Sequence, residues 1–312
     1  MDELAKIKAV IADLKQHKKI SEEYWVKHIA LPYSALRLTL RHGFLVWPDD
    51  LDLLNSAIID QLLAGSPKPY VIDVHQCVES TNTLLVDAAQ SEKIDSQIHV
   101  AEFQYQGRGR RGRQWLSPYA RNLAVSLGRD SQRELSDLGG LSLVVGIALA
   151  EALEAAGVKG ISLKWPNDVW VENKKLAGIL IELVSSAHGT QIIIGFGVNI
   201  DLTDAQIASV DQAVTDIKRC GGVGTRNELV AECIKSVTKY LDFFELNGFA
   251  DFVPAFNALH TLHETQCSVI SPGEKPNRSV KVIGVGESGE LIVESMTGIE
   301  LIHGGEISIR PT

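Results

Sequence analysis

The sequence predicts an α+β protein in three parts: a small helical module over residues 1–66, a mixed strand and helix region over 67–264, and a small β-barrel over 265–312. Three observations predict it. Apolar residues recur at helical spacing at the start of the chain, strand and helix patterns mix beyond residue 69, and only short strands and tight turns follow Cys267. At 312 residues the chain suits two or three domains rather than one core.

Composition narrows the class. A hydrophobic content of 45% with 22% charged residues and a net charge of -9 is that of a soluble globular protein. No uninterrupted apolar run reaches the roughly 18 residues of a membrane span, and Met1-Asp2-Glu3 does not open a signal peptide, so no membrane association and a cytoplasmic location are expected. Cys77, Cys220, Cys233 and Cys267 are scattered without zinc-ligand spacing, which predicts reduced core thiols, no disulfide and no structural metal.

In the first module Leu4, Ile7, Val10, Ile11 and Leu14 mark one helix, and Ser21 with Glu22 and Glu23 starts a second. Ser34 after Pro32 suits a third helix ending at Gly43, and Phe44 to Trp47 a short strand. This is the order of a winged helix-turn-helix, but no second wing strand is apparent. A recognition helix needs base- and phosphate-directed side chains; the segment Ala35 to His42 sets two arginines among leucines. Residues 1–65 hold eight Lys and Arg against nine Asp and Glu, with no basic stripe. The module therefore reads as a degenerate, winged-helix-like domain rather than a working DNA reader.

Gly65-Ser66-Pro67-Lys68-Pro69 reads as a linker. Tyr70 to Cys77 is strand-like. Glu79-Ser80-Thr81-Asn82 opens a helix to about Ala89, whose free N–H groups suit a polar ligand head or simply an ordinary N-cap. His99 to Gln104 is a second strand. It leads into Gly107-Arg108-Gly109-Arg110-Arg111-Gly112-Arg113, four arginines and three glycines with nothing else. Arginine offers a rigid donor fork to phosphate and carboxylate, and glycine lets the backbone approach a ligand, so this stretch reads as an anion clamp. Gly107, Gly109 and Gly112 also satisfy GxGxxG. That fingerprint must open a helix, whereas Gln114-Trp115-Leu116-Ser117-Pro118 has no helical period.

Leu141, Val144, Val145, Ala148, Leu149, Ala152 and Leu153 form a core helix that Gly157 stops. Ile161 to Trp165 alternates as a strand into Pro166-Asn167-Asp168. A hairpin through Glu172-Asn173-Lys174 then leads to Lys175-Leu176-Ala177-Gly178 and the strand Ile179 to Leu183. Gln191 to Phe196 is another strand, continued by Gly197-Val198-Asn199. Lys164 in an apolar strand needs a partner, either Asp168 or a nearby Glu. From Asp201 to Gly224 signals are weak and suit a mobile loop. Thr225-Arg226-Asn227-Glu228 is a capping box before a helix striped by Val230, Ile234, Val237, Leu241 and Phe244. Five strands are expected after Cys267: Ser268 to Ile270, Ser279 to Val285, Glu290 to Val293, Ile299 to His303 and Glu306 to Ile309. Turns at Pro272-Gly273, Glu287-Ser288-Gly289, Thr297-Gly298 and Gly304-Gly305 separate them.

Taken together, Gly107 to Arg113, Lys164-Trp165-Pro166-Asn167-Asp168, Lys175 to Gly178 and Gly197 to Asn199 resemble the motifs of the biotin protein ligases, in the same order over roughly residues 70–312. The resemblance implies a central mixed-sheet catalytic domain of the biotin/lipoate ligase type and a C-terminal SH3-like barrel. It implies that biotin and MgATP give biotinyl-5′-adenylate and pyrophosphate, and that biotin then passes to one lysine of a biotin carboxyl carrier protein of acetyl-CoA carboxylase. By motif, Ser80, Thr81, Asn82 and Gln104 would hold biotin's ureido head. Arg108, Gly109 and Arg110 would close over it, with Arg111 and Arg113 steering phosphates. Lys175, with Lys164, would serve the reacting carboxylate and phosphate. Asn167, Asp168 and Asn199 would lie on the ATP side, Asp168 meeting Mg²⁺. The bifunctional branch of the family also implies a homodimer that represses biotin synthesis when the adenylate orders its loops, a second function that the first module, short of a wing and of basic side chains, does not support.

Overall fold

In the computed structural model, which describes residues 2–187, 189–270, 278–303 and 308–311, helix α1 (Glu3–His17) starts where the Asp2 carboxylate accepts the Ala5 N–H at 2.7 Å. Strand β1 (Lys19–Ser21) runs into α2 (Glu22–His28), capped by the Ser21 hydroxyl as its sequence predicts. The expected third helix does not form. Tyr33–Leu36 is a single 3-10 turn, and β2 (Thr39–Arg41) pairs with β3 (Phe44–Val46) across His42-Gly43. Both turn residues have positive φ, 49° and 78°, the geometry of a two-residue hairpin, so a second wing-like strand exists where none was expected. The three strands lie in the order β1-β3-β2.

By compactness the chain divides into Met1–Asp130 with Glu182–Val210 and Gly224–Ala231, and Ser131–Ile181 with Asp211–Val223 and Glu232–Thr312. The first unit includes the N-terminal module. Ile7, Ile11, Leu14, Trp25, Leu36, Leu45 and Trp47 share one buried cluster with Cys77, Phe103, Tyr119 and Ala120. The Trp47 and Tyr119 rings stack at 4.9 Å, and Tyr119 N–H donates to the Ala35 carbonyl at 2.8 Å. The stretch around Pro67 thus joins parts of one core. Helix α3 (Ser56–Leu62) is the last element of the module.

The first unit's main sheet holds β4 (Val71–His75), β5 (Gln97–Ala101) and β6 (Asn122–Asp130), with helix α4 (Thr81–Ala88) between β4 and β5 in sequence. Strands β4 and β5 are parallel, and β6 is antiparallel to β5. Sequence reading missed β6. All but its last residue are buried, so no alternation of apolar and polar residues betrays it. The second unit opens with α5 (Leu141–Ala155), followed by the antiparallel strands β7 (Ile161–Lys164), β8 (Asp168–Val171) and the first part of β9 (Lys174–Ser186). The window Leu135–Ala155, mean hydropathy 1.7, is apolar and long enough to cross a membrane by composition. It is 67% buried inside the protein, as a core helix is.

Strand β10 (Gly189–Asn199) returns to the first unit and pairs antiparallel with β6 over its length from Gln191. After it come α6 (Asp204–Ala208), α7 (Arg226–Asn247) and α8 (Val253–Leu259). The capping box forms at α7: Glu228 Oε2 accepts the Thr225 N–H at 2.7 Å, and Thr225 Oγ1 accepts the Glu228 N–H at 3.3 Å. The second unit ends in β11 (Gln266–Ile270), β12 (Arg278–Val285), β13 (Leu291–Ser295), β14 (Gly298–Ile302) and β15 (Ser308–Pro311). They form one antiparallel sheet in the order β14-β13-β12-β11-β15, consistent with an SH3-like fold. The expected turns at Pro272-Gly273 and Gly304-Gly305, and the start of the last expected strand at Glu306, lie outside the described residues.

Candidate active site

In the first unit, the N-terminus of α4 meets the face of β6 and β10 in a continuous polar network. Ser80 is the N-cap residue and is buried, yet its hydroxyl makes no capping bond, so the ordinary-cap reading fails here. Gln104 Oε1 accepts both the Thr81 N–H at 2.8 Å and the Thr81 hydroxyl at 3.1 Å. The Ser126 hydroxyl lies 2.7 Å from Thr81 Oγ1 and 2.5 Å from Asn82 Oδ1. Asn82 Nδ2 donates to Glu182 Oε2 at 2.8 Å, and the Arg108 guanidinium forks the same carboxylate, Nη2 to Oε1 at 2.7 Å. Six side chains therefore run from amide to guanidinium, and all but Arg108 and Glu182 are buried. Such a network fixes each rotamer and presents both donors and acceptors in a low-dielectric wall.

Two glycines make room for it. A Cβ on Gly195 would stand 2.0 Å from Asn82 Oδ1, and one on Gly197 would stand 2.4 Å from the Trp115 ring. Both lie on β10, so its backbone is a floor with Asn82 and Trp115 resting on it.

The Gly/Arg stretch forms a narrow closed loop. Its stems are tied by Trp115 N–H to Gly107 O at 2.8 Å, by a bridge between Arg108 and Gln114, and by Gly109 N–H to Arg113 O at 2.8 Å. At the tip Arg111 takes φ 59° and Gly112 φ 68°, both left-handed. Arg110 is half-buried, whereas Arg111 and Arg113 are exposed. Asn199 closes the row at the end of β10, buried opposite Asn122.

Lys164, Asn167, Asp168 and Lys175 lie in the second unit. Lys164 is the register partner of Asp168, and Trp170 that of Lys175, so these four side chains share one face of the β7-β8-β9 strands. Lys175 Nζ lies 2.8 Å from Asp168 Oδ1, and Lys164 Nζ sits 4.2 Å above the Trp170 ring. Lys175 is fixed through its backbone as well: its N–H donates to Ala213 O at 2.9 Å and its carbonyl accepts the Thr215 N–H at 3.0 Å. The weak-signal segment after Asp201 thus supplies a single parallel bridge, Val214 to Lys175, rather than a strand. Asn167 pins its own turn, donating from Nδ2 to Ile179 O at 2.7 Å. The cysteines are free thiols, and burial pushes Cys77 and Cys233 up to about 12, outside the nucleophilic range.

Residues 74–199, which hold every one of these site residues, match the biotin/lipoate A/B protein ligase family. Over 265 residues, 84% of this chain and 80% of the relative, the sequence is 34% identical to the bifunctional ligase/repressor BirA of Escherichia coli. The chain belongs to the biotin/lipoate A/B protein ligase family. A biotin–[acetyl-CoA-carboxylase] ligase of Mycobacterium tuberculosis is 32% identical, covering 57% of this chain and 66% of that one. The biotin protein ligase of Aquifex aeolicus, solved in complex with biotin and ATP, superposes with a TM-score of 0.65 at 27% identity over 77% of this chain and 99% of its own.

Within this member of the biotin/lipoate ligase family, sequence reasoning missed Ser126, Glu182 and Trp115. Glu182 stands in an otherwise apolar strand, the same signal that singled out Lys164, and could have been found by it; Ser126 lies in β6, which the sequence does not mark as a strand, and carried no such signal. It also missed a buried ion pair, Arg226 Nη1 to Glu102 Oε2 at 2.6 Å, which further ties Leu54 N–H, the Asp52 carbonyl and the Asn122 carbonyl together. Nothing local marks that pair, because its members are 124 residues apart in sequence.

Proposed function

We propose that this chain activates biotin with ATP to biotinyl-5′-adenylate and transfers biotin to one lysine of a biotin carboxyl carrier protein. The observation that carries the proposal is the network Gln104–Thr81–Ser126–Asn82–Glu182–Arg108. A cyclic urea needs acceptors for two N–H groups and donors for one carbonyl, all in fixed places. The α4 terminus with Ser80, Thr81, Asn82 and Gln104 supplies such a wall, and we assign it the ureido head.

Adenylation brings two anions together: the biotin carboxylate attacks the α-phosphorus while pyrophosphate leaves. Offsetting that repulsion is the main electrostatic task. We assign it to Lys175, supported by Lys164, and to the loop arginines. Arg108, Gly109 and Arg110 act as the lid over the mixed anhydride, excluding water, while the exposed Arg111 and Arg113 steer phosphates. Asn167, Asp168 and Asn199 serve the nucleotide. Mg²⁺ is carried in on the ATP phosphates, and Asp168 is the acid assigned to meet it.

A cytoplasmic location and a carrier-protein partner follow from this reading. The DNA-binding alternative is not favoured: the segment that would be a recognition helix is a 3-10 turn, and its Leu36 and Leu38 are spent in the core. Biotin-dependent ATP–pyrophosphate exchange, followed by label transfer to a purified carrier domain, tests the proposal. The Arg110→Gly protein should transfer slowly and release adenylate to solution. Absence of both exchange and transfer in the unaltered protein would overturn the reading.

A further inference from the structure

The register of β6 and β10 aligns three residue pairs on the face that carries Ser126. Opposed residues on antiparallel strands project to the same side, and every second position shares it. Ser126 stands opposite Gly195, Ala124 opposite Gly197, and Asn122 opposite Asn199. The first pair lies beneath Asn82 and the second beneath the Trp115 ring.

Asn122 ends that row, and it is anomalous. Its side chain has no exposed surface, yet neither Nδ2 nor Oδ1 has a hydrogen-bond partner among the described residues. Buried amides are almost always satisfied, and one left unpaired is costly. Looseness is not the cause. The Asn122 carbonyl accepts two bonds from Arg226, Nε at 3.1 Å and Nη2 at 2.9 Å, and Arg226 is itself held by Glu102. The backbone is clamped from behind while the amide is left to present a donor and an acceptor.

We infer that Asn122 reads the base edge of the nucleotide, an inference that rests on the ligase reading above. Four residues separate Ser126 from Asn122, about 13 Å along the strand. With the ureido head at Ser126, the valerate chain of biotin runs along the small Ala124–Gly197 floor and the nucleoside comes to the Asn122–Asn199 end. The coplanar C=O and NH₂ of asparagine match the exocyclic amine and adjacent ring nitrogen of adenine, one bond in each direction. The Trp115 indole, resting on the next pair along, is the cover that gives way as the base enters.

The test compares ATP with purine riboside 5′-triphosphate, which lacks only the 6-amino group, in biotin-dependent pyrophosphate exchange. In the unaltered protein, loss of the amino group should raise the nucleotide KM about ten-fold. In Asn122→Leu, ATP itself should carry that penalty, removal of the amino group should cost nothing more, and the biotin KM should not follow. Asn122→Ser, which relieves any steric strain of leucine, should show the same loss of discrimination. The ligand-free melting temperature of the leucine variant should not fall, since an unsatisfied amide has been removed. Variants that retain the preference for the 6-amino group, or that melt earlier at an unaltered ATP KM, would overturn the inference and leave Asn122 a structural residue. An unaltered protein without any exchange would overturn the ligase reading itself.

Discussion

Arg108 and Glu182 are joined by a bidentate fork, Nη2 to Oε1 at 2.7 Å and Nη1 to Oε2 at 3.2 Å, and through it the Gly/Arg loop is tied to Asn82. Glu182→Gln halves the fork and removes its charge. Because Arg108 is 44% exposed, the global stability change should stay below about 1 kcal/mol. The biotin KM should nonetheless rise several-fold and adenylate should leak faster, read by pyrophosphate exchange and by single-turnover retention. A large stability loss with an unaltered biotin KM would show the fork to be scaffold only.

The two floor glycines should separate the two substrates. Gly195→Ala pushes Asn82 off its partners and should weaken biotin binding, while Gly197→Ala displaces Trp115 and should act on the nucleotide. Titration calorimetry with each ligand distinguishes them. Equal effects of both changes on both ligands would contradict the assignment.

Removing one member of the Arg226–Glu102 pair strands a buried charge. Glu102→Ala should therefore cost about 3–5 kcal/mol in urea unfolding. The double replacement Glu102→Met with Arg226→Met should recover part of that loss, because no unpaired charge remains. If the single and double variants unfold alike, the pair is not the cause.

Trp47 packs in the shared core and donates Nε1–H to the Leu36 carbonyl at 2.6 Å. Trp47→Ala should cost about 3–5 kcal/mol. Because Phe103 and Tyr119 flank the ligand loop in sequence and lie in the same cluster, biotin binding should weaken with it. A separate early unfolding step confined to the first 50 residues would show the module to be independent.

Burial first, and then the charge of His263, lowers His260 from its usual 6.5 to about 4. The folded protein keeps this ring neutral while the unfolded chain binds a proton at higher pH. The stability it permits is complete above pH 6.5 and is lost as pH falls from 6.5 towards 4, by about 3 kcal/mol in all. His260→Leu should flatten the unfolding free energy over that window, measured by urea titration at each pH.

The candidate site was legible in the sequence wherever chemistry is local. The Gly/Arg stretch, the Ser80-Thr81-Asn82 helix start, and the lysines at 164 and 175 each break a local pattern. Glu182 breaks it more quietly, and the meaning of both Ser126 and Glu182 comes only from Asn82 lying against them. Strand β6 was invisible because both faces are covered, and the helix expected before Gly43 gave way to a hairpin. There the pairing of Thr39–Arg41 with Phe44–Val46 and the burial of Leu36 outweigh helical propensity.

By itself the sequence determined what depends on neighbours along the chain: helix periods, the capping box at Thr225, the hairpin at Glu172-Asn173, the five C-terminal strands, and motifs that name the family. Tertiary structure alone decided which groups meet. It set Arg108 on Glu182, Arg226 on Glu102, Trp47 on Tyr119, and Asn122 opposite Asn199. Each of those contacts closes a long loop, and its partner is selected by packing and register across the whole fold rather than by any residue nearby in sequence.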